Sequence, residues 1–138
     1  MNRLPYEVFV FVRRGDEFLV LHRSPRQGSY WHGVAGALEA GESWAEAAAR
    51  ELLEETGLAA EPLEVGEPYA YPVDDFPEYG RQVPDGATEI LVHSFLVDAP
   101  QGWEPVLDWE HDEYRWCTPV EAVELLYWPE PKVVLRTF

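Results

Sequence analysis

Three glutamates, Glu51, Glu54 and Glu55, stand at i, i+3 and i+4 in the stretch GALEAGESWAEAAARELLEETGL, residues 36–58. Ser43 is a good N-cap and Glu46, three residues on, completes a capping box, so a helix should start at Trp44; Gly57 should stop it as a C′ glycine. At 100° per residue the three carboxylates fall within an arc of about 100°. Ala45, Ala48, Ala49, Leu52, Leu53 and Thr56 form the neighbouring apolar flank, which should face the core. Like charges at this spacing destabilise a helix by about 0.2–0.5 kcal/mol per pair, more where water is lost. Arg50 can pair with Glu46 or Glu54, which leaves Glu51 and Glu55 without a partner in the helix. A solvated glutamate face is the plain interpretation of ExxEE alone. The chemical alternative is a hard cation such as Mg²⁺, which takes one or two carboxylates from a protein and leaves its other positions to water and substrate phosphate.

The surroundings favour the cation. Gly36, Glu42, Arg50, Glu51, Leu52, Glu54, Glu55, Gly57 and Leu58 satisfy the pattern Gx5Ex7REUxEExGU, with U aliphatic, at every specified position. A chance match is on the order of 10⁻⁸ to 10⁻⁹ per window. The stretch thus resembles the Nudix hydrolase motif. The resemblance implies that Glu51, Glu54 and Glu55 bind metal, that Gly36 offers its backbone carbonyl, that Arg50 orients a neighbouring glutamate, and that Glu42 steadies the loop or reaches the metal through water. The general base varies across the family; Glu51 and Glu54 qualify inside the motif, and Glu110, then Glu89, outside it.

The elements that must position these groups follow from pattern and punctuation. Tyr6 to Arg13 is nearly continuous in apolar character, as in a strand covered on both faces. Arg14-Gly15-Asp16 should turn it into a hairpin with Glu17 to Arg23. Ser24 to Ser29 is a loop, and Tyr30 to Ala37 a short strand whose glycines let the backbone near Gly36 approach a ligand. Beyond the helix come an extended segment, Leu63 to Val73, a long polar loop, Asp74 to Ala87, and a strand, Thr88 to Val97, in which His93 should pack. Asp98 to Leu107 reads as a turn and short strand. Thr118 caps a second helix from Pro119 to about Leu126, and a short closing helix is expected near Lys132 to Thr137. A mixed β-sheet in an α/β/α sandwich packs this order, as one domain over residues 1–138. It is also the fold the Nudix resemblance implies.

Composition narrows the partners. The 138 residues carry a net charge of −16 with only ten Lys and Arg, which disfavours tracking a nucleic-acid backbone. A small polyphosphate remains compatible if a divalent cation screens the charge. No apolar run reaches about 18 residues and no signal peptide is evident, so a cytoplasmic protein without membrane partners is expected. Cys117 reads as a buried inert thiol. GxSxG, P-loop, CxxC and HExxH motifs are absent from the sequence, leaving metal-assisted hydrolysis.

Residues 110–116, EHDEYRW, resemble the EHxxY[RK]W segment of bacterial dATP/dihydroneopterin-triphosphate pyrophosphohydrolases and of diadenosine-tetraphosphate hydrolases, and VAGALEAGE leans toward the first group. The resemblance implies Mg²⁺-dependent cleavage, with Mn²⁺ as a substitute, of a nucleoside triphosphate-like substrate to a monophosphate and pyrophosphate. A dinucleoside-polyphosphate hydrolase and a non-catalytic nucleotide sensor are the alternatives. The expected partner is a small-molecule nucleotide or nucleoside-diphosphate derivative, with a homodimer allowed. Trp31, Arg81 and Tyr114 are the candidate substrate contacts, the aromatic pair by stacking and Arg81 through phosphate or a ring edge.

Overall fold

In the first strand, β1 (Tyr6–Arg14), valine alternates with phenylalanine, and the period-two geometry of a strand sends the two residue types to opposite faces. The computed structural model describes residues 3–73 and 86–138. Val8, Val10 and Val12 lie under helix α1 (Trp44–Thr56), in a core with Ala47, Ala48 and Leu52. Phe9 and Phe11 lie on the other face, in a core with residues of α2 (Pro119–Leu125) and α3 (Pro129–Leu135). The sheet is completed by β2 (Glu17–Arg23), β3 (Trp31–His32), β4 (Val34–Ala37), β5 (Leu63–Pro72), β6 (Glu89–Asp98) and β7 (His111–Cys117). It is mixed, with β1 and β6 parallel and the remaining pairs antiparallel. Helices cover both faces, so the α/β/α sandwich stands.

Several local expectations change. The β1–β2 hairpin is paired only beside its turn, Arg13 with Phe18 and Arg14 with Glu17. Beyond that the two strands part, and residues 31–37 fill the gap, β3 pairing with β2 and β4 with β1. The single strand expected at 30–37 is therefore two, divided at Gly33. A Cβ there would come within 2.5 Å of the Phe9 ring, so the missing side chain is what lets that ring lie against the backbone.

The short strand expected within Asp98 to Leu107 is absent. Residues 99–108 instead run as a turn and extended chain, with the Val106 N–H donating to the Thr56 carbonyl at the end of α1 and with Trp103 and Leu107 packed on the α1-side core. The last helix starts at Pro129, earlier than expected: proline belongs in a first helical turn, where its missing N–H has no intrahelical partner to lose. Cys117 is a buried free thiol, and burial pushes its pKa up. Trp44 stacks on His93 at 3.7 Å, over the β6 edge of α1.

Candidate active site

Helix α1 is framed as its sequence dictates. Ser43 and Glu46 form the reciprocal capping box, and Gly57, at φ 80°, closes the other end in the left-handed region. Its rotation differs from the expected one. The buried stripe is Ala47, Ala48, Glu51, Leu52, Glu55 and Thr56, whereas Ala45 is exposed and Leu53 is 52% exposed. The helix has turned two of its glutamates inward and a leucine outward. Polar partners waiting on the sheet side account for this, because buried carboxylates must be hydrogen-bonded or paired.

Arg50 organises the outer part of the site. Its Nε and Nη2 grip both oxygens of Glu42, at 2.7 and 2.9 Å, and Nη2 also donates to the Ala37 carbonyl at 3.0 Å. Nη1 donates to Glu51 at 2.8 Å and lies 3.4 Å from Glu54. Glu42 receives the Glu39 N–H as well, which ties the loop before α1 to the helix. The Glu42 carboxyl is held below its usual range, first by the Arg50 hydrogen bonds, and the guanidinium pKa is raised in return. Of the pairings expected for Arg50, Glu54 is present; Glu46 is engaged by the Ser43 cap instead.

Deeper in, Glu55 is almost wholly buried. Its Oε1 lies 3.4 Å from the Ala35 N–H and 3.6 Å from His111 Nε2. Burial raises its pKa well above the ordinary carboxyl value, and Glu51, Glu110 and Asp108 push it further. His111 is buried too and shares its Nδ1 with Asp108 at 2.8 Å; burial lowers its pKa. Glu110 is raised mainly by burial, against the pull of Arg23, whose Nη2 is 3.7 Å away. A register shift between His22 and Arg23 brings Arg23 opposite His111, and so turns Glu110 and His111 toward α1. Glu54 sits at the rim, its side chain 56% exposed and its pKa raised, mainly by partial burial and then by Glu51.

The residues present suit a divalent cation. Gly36 backs directly onto Glu51: a Cβ there would overlap the carboxylate, so only glycine leaves the β4 backbone and these oxygens side by side. Among the described residues no three acidic, imidazole or thiol groups close a ready cage. Mg²⁺ does not need one, since it is usually held by one or two carboxylates and completed by water and phosphate. The pair Glu51 and Glu55, with Glu54 at the rim and only Glu51 and Glu54 reached by Arg50, has the chemistry for that.

The other expected contacts are scattered. Trp31 stands on the α2–α3 side of the sheet, edge-on to His22 and under the Arg115 guanidinium at 4.9 Å, on the opposite face from Glu51 and Glu55. Tyr114 is on the α1 side, but its hydroxyl donates to Glu104 at 3.1 Å. Arg81 lies outside the described residues. Glu89 is exposed at the start of β6, beside the β5 end. Sequence reasoning missed Asp108, His111 and Arg23. His111 lies inside the quoted EHDEYRW segment and Asp108 two residues before it, in DWEH, and their i, i+3 spacing was the available signal.

Helix α1 thus sets a buried, mutually repelling carboxylate group against a glycine of a mixed sheet on an α/β/α frame. The chain belongs to the Nudix hydrolase family, whose NUDIX domain matches residues 3–138. It is 36% identical over 115 residues to an octanoyltransferase of Myxococcus xanthus, an alignment that takes in 82% of this chain and 30% of that protein. The chain spans a quarter to a third of the length of the curated relatives it matches. Among solved structures it is similar to the E. coli dihydroneopterin triphosphate pyrophosphohydrolase, with TM-score 0.85, 22% identity and coverage of 100% of this chain and 97% of that one. It is also similar to a C. elegans Ap4A hydrolase, with TM-score 0.75, 22% identity and coverage of 96% and 93%. At those identities the likeness concerns the fold.

Proposed function

We propose that the protein is a Mg²⁺-dependent pyrophosphohydrolase, with Mn²⁺ able to substitute, that hydrolyses a diphosphate linkage in a nucleoside triphosphate-like substrate to a nucleoside monophosphate and pyrophosphate. The observation that carries this is the burial of Glu55 beside Glu51, with Glu110 close enough to raise its pKa further: a negative centre that the chain's own cations leave under-neutralised. Glu51, Glu54 and Glu55, with the Gly36 carbonyl, are the groups that would hold the ion. When bound, it neutralises charge on the phosphoryl oxygens and lowers the pKa of an attacking water.

The chain's own residues supply the rest. Arg50 fixes the Glu51 carboxylate through one nitrogen while Glu42 holds the guanidinium from the other side. Glu110, its pKa raised above the ordinary carboxyl value mainly by burial, takes the proton from the attacking water as the general base. The water oxygen joins phosphorus, the bridging P–O bond breaks, and pyrophosphate departs. Positioning and charge stabilisation are most of what such a transfer requires.

Mass-spectrometric analysis of products tests this over nucleoside triphosphates, dinucleoside polyphosphates, nucleotide sugars and dihydroneopterin triphosphate. The expected result is pyrophosphate and a monophosphate from a triphosphate, dependent on Mg²⁺. Absence of turnover on the whole panel would leave a nucleotide-binding sensor instead.

A further inference from the structure

His111 is the one imidazole of the site, and its side chain is fully buried. Its Nδ1 is committed to Asp108 at 2.8 Å, while Nε2 is buried without a hydrogen-bond partner. The group facing Nε2 is Oε1 of Glu55, 3.6 Å off and just beyond hydrogen-bond reach. On its other side the same oxygen meets the Ala35 N–H at 3.4 Å, a long contact as well. Glu55 is therefore held in a slot between a strand N–H and an imidazole, with slack on both sides. Orphaned buried polar atoms of this kind are rare enough to need a reason.

We infer that Asp108 and His111 are a positioning pair for Glu55: Asp108 sets the imidazole plane, and Nε2 backs the carboxylate so that it stays turned toward Glu51. The contact is attractive with the proton on either partner, since a neutral Glu55 donates to Nε2 and an anionic one accepts from an imidazolium. Outer groups that orient a cation-binding side chain are typically worth about 10–100-fold in metal affinity. Register explains how the pair is delivered. The β2–β7 irregularity at His22/Arg23 sets His111 opposite Arg23 on the α1 side of the sheet, and the His111 N–H to Asp108 carbonyl bond at 3.3 Å folds Asp108 back beneath the ring. This role rests on the divalent-cation site proposed above.

Two substitutions separate the ends of the imidazole. Asparagine places its amide where Nδ1 stood, so His111→Asn keeps contact with Asp108 and loses Glu55; glutamine reaches the position of Nε2, so His111→Gln keeps Glu55 and loses Asp108. The readout is the Mg²⁺ concentration giving half of the maximal rise in melting temperature, without substrate, for the intact chain. Wild type and His111→Gln are expected to titrate within a few-fold of each other, and His111→Asn to need about tenfold more Mg²⁺ or beyond. Equal half-points for the asparagine and glutamine variants overturn the inference while leaving the cation site intact. A wild type that Mg²⁺ does not stabilise removes the cation site, and the inference with it. Should His111→Asn not fold, Asp108→Asn carries the same expectation of weakened Mg²⁺ stabilisation, and an unchanged half-point there contradicts it.

Discussion

Arg50 and Glu42 meet as a two-pronged pair, Nε to Oε2 at 2.7 Å and Nη2 to Oε1 at 2.9 Å, across the turn that leads into α1. The third guanidinium nitrogen is thereby aimed at Glu51. A planar fork can do both at once and an ammonium cannot. Arg50→Lys is therefore expected to lower kcat by one to two orders of magnitude, about 1.4–2.7 kcal/mol in the barrier, with far less effect on the melting temperature. Steady-state kinetics beside a thermal melt decides this; a lysine variant with wild-type kcat would refute the orienting role.

Glu42 gives the pair a pH signature. Its carboxyl is depressed below 4.5 in the folded chain, mainly by the Arg50 hydrogen bonds. A depressed folded value means the unfolded chain binds the proton more readily, so the stabilisation is complete above about pH 4.5 and lost as the pH falls through the folded value. In Glu42→Gln, urea unfolding should show a flatter loss of stability below pH 4.5 than in wild type.

Glu55 has the opposite sign. With its folded pKa raised above 4.5 by burial and by Glu51, the folded state binds the proton more readily than the unfolded state, and stability without metal should decline as the pH climbs from 4.5 toward the folded value. Glu55→Gln should remove that decline, so that the metal-free variant melts higher than metal-free wild type at pH 7. A lower melting temperature at pH 7 would show that Glu55 is well compensated already.

Gly36 separates function from stability. Its neighbour in the way of a Cβ is the flexible end of Glu51, which can swing aside. Gly36→Ala should thus fold with a loss of about 1 kcal/mol or less, yet lose at least about a hundredfold in kcat/KM through displacement of Glu51. Gly33→Ala is the contrast: the obstacle is the buried Phe9 ring, and about 1–3 kcal/mol should be lost in urea unfolding.

Much of this was legible along the chain because the determinants are local. Both capping boxes, the Gly57 stop and the alternation in β1 each depend on residues within one turn or a few positions. The Nudix motif is likewise contiguous, and Glu51, Glu54 and Glu55 were named as candidates from it alone. What sequence could not supply was the roll of α1. Counting apolar residues pointed Leu53 inward, whereas Arg50, the Ala35 N–H and His111 make it favourable to bury Glu51 and Glu55. Two of those three partners come from strands outside the helix. His111 and Arg23 were missed for the same reason, since a register shift between strands distant in sequence brings them together. Trp31 was placed with the site because it is adjacent in the chain, but the alternation of β3 sends it to the other face.

The claim on which the rest depends is that the α1 carboxylates grip a divalent ion. Isothermal titration of Mg²⁺ into the metal-free protein at neutral pH tests it most directly, run in parallel on wild type, Glu51→Gln and Glu55→Gln. Saturable binding by wild type, weakened at least about tenfold in both variants while their melts remain cooperative, is the expected result. Binding that is equally strong in all three proteins, or absent from wild type, would contradict it.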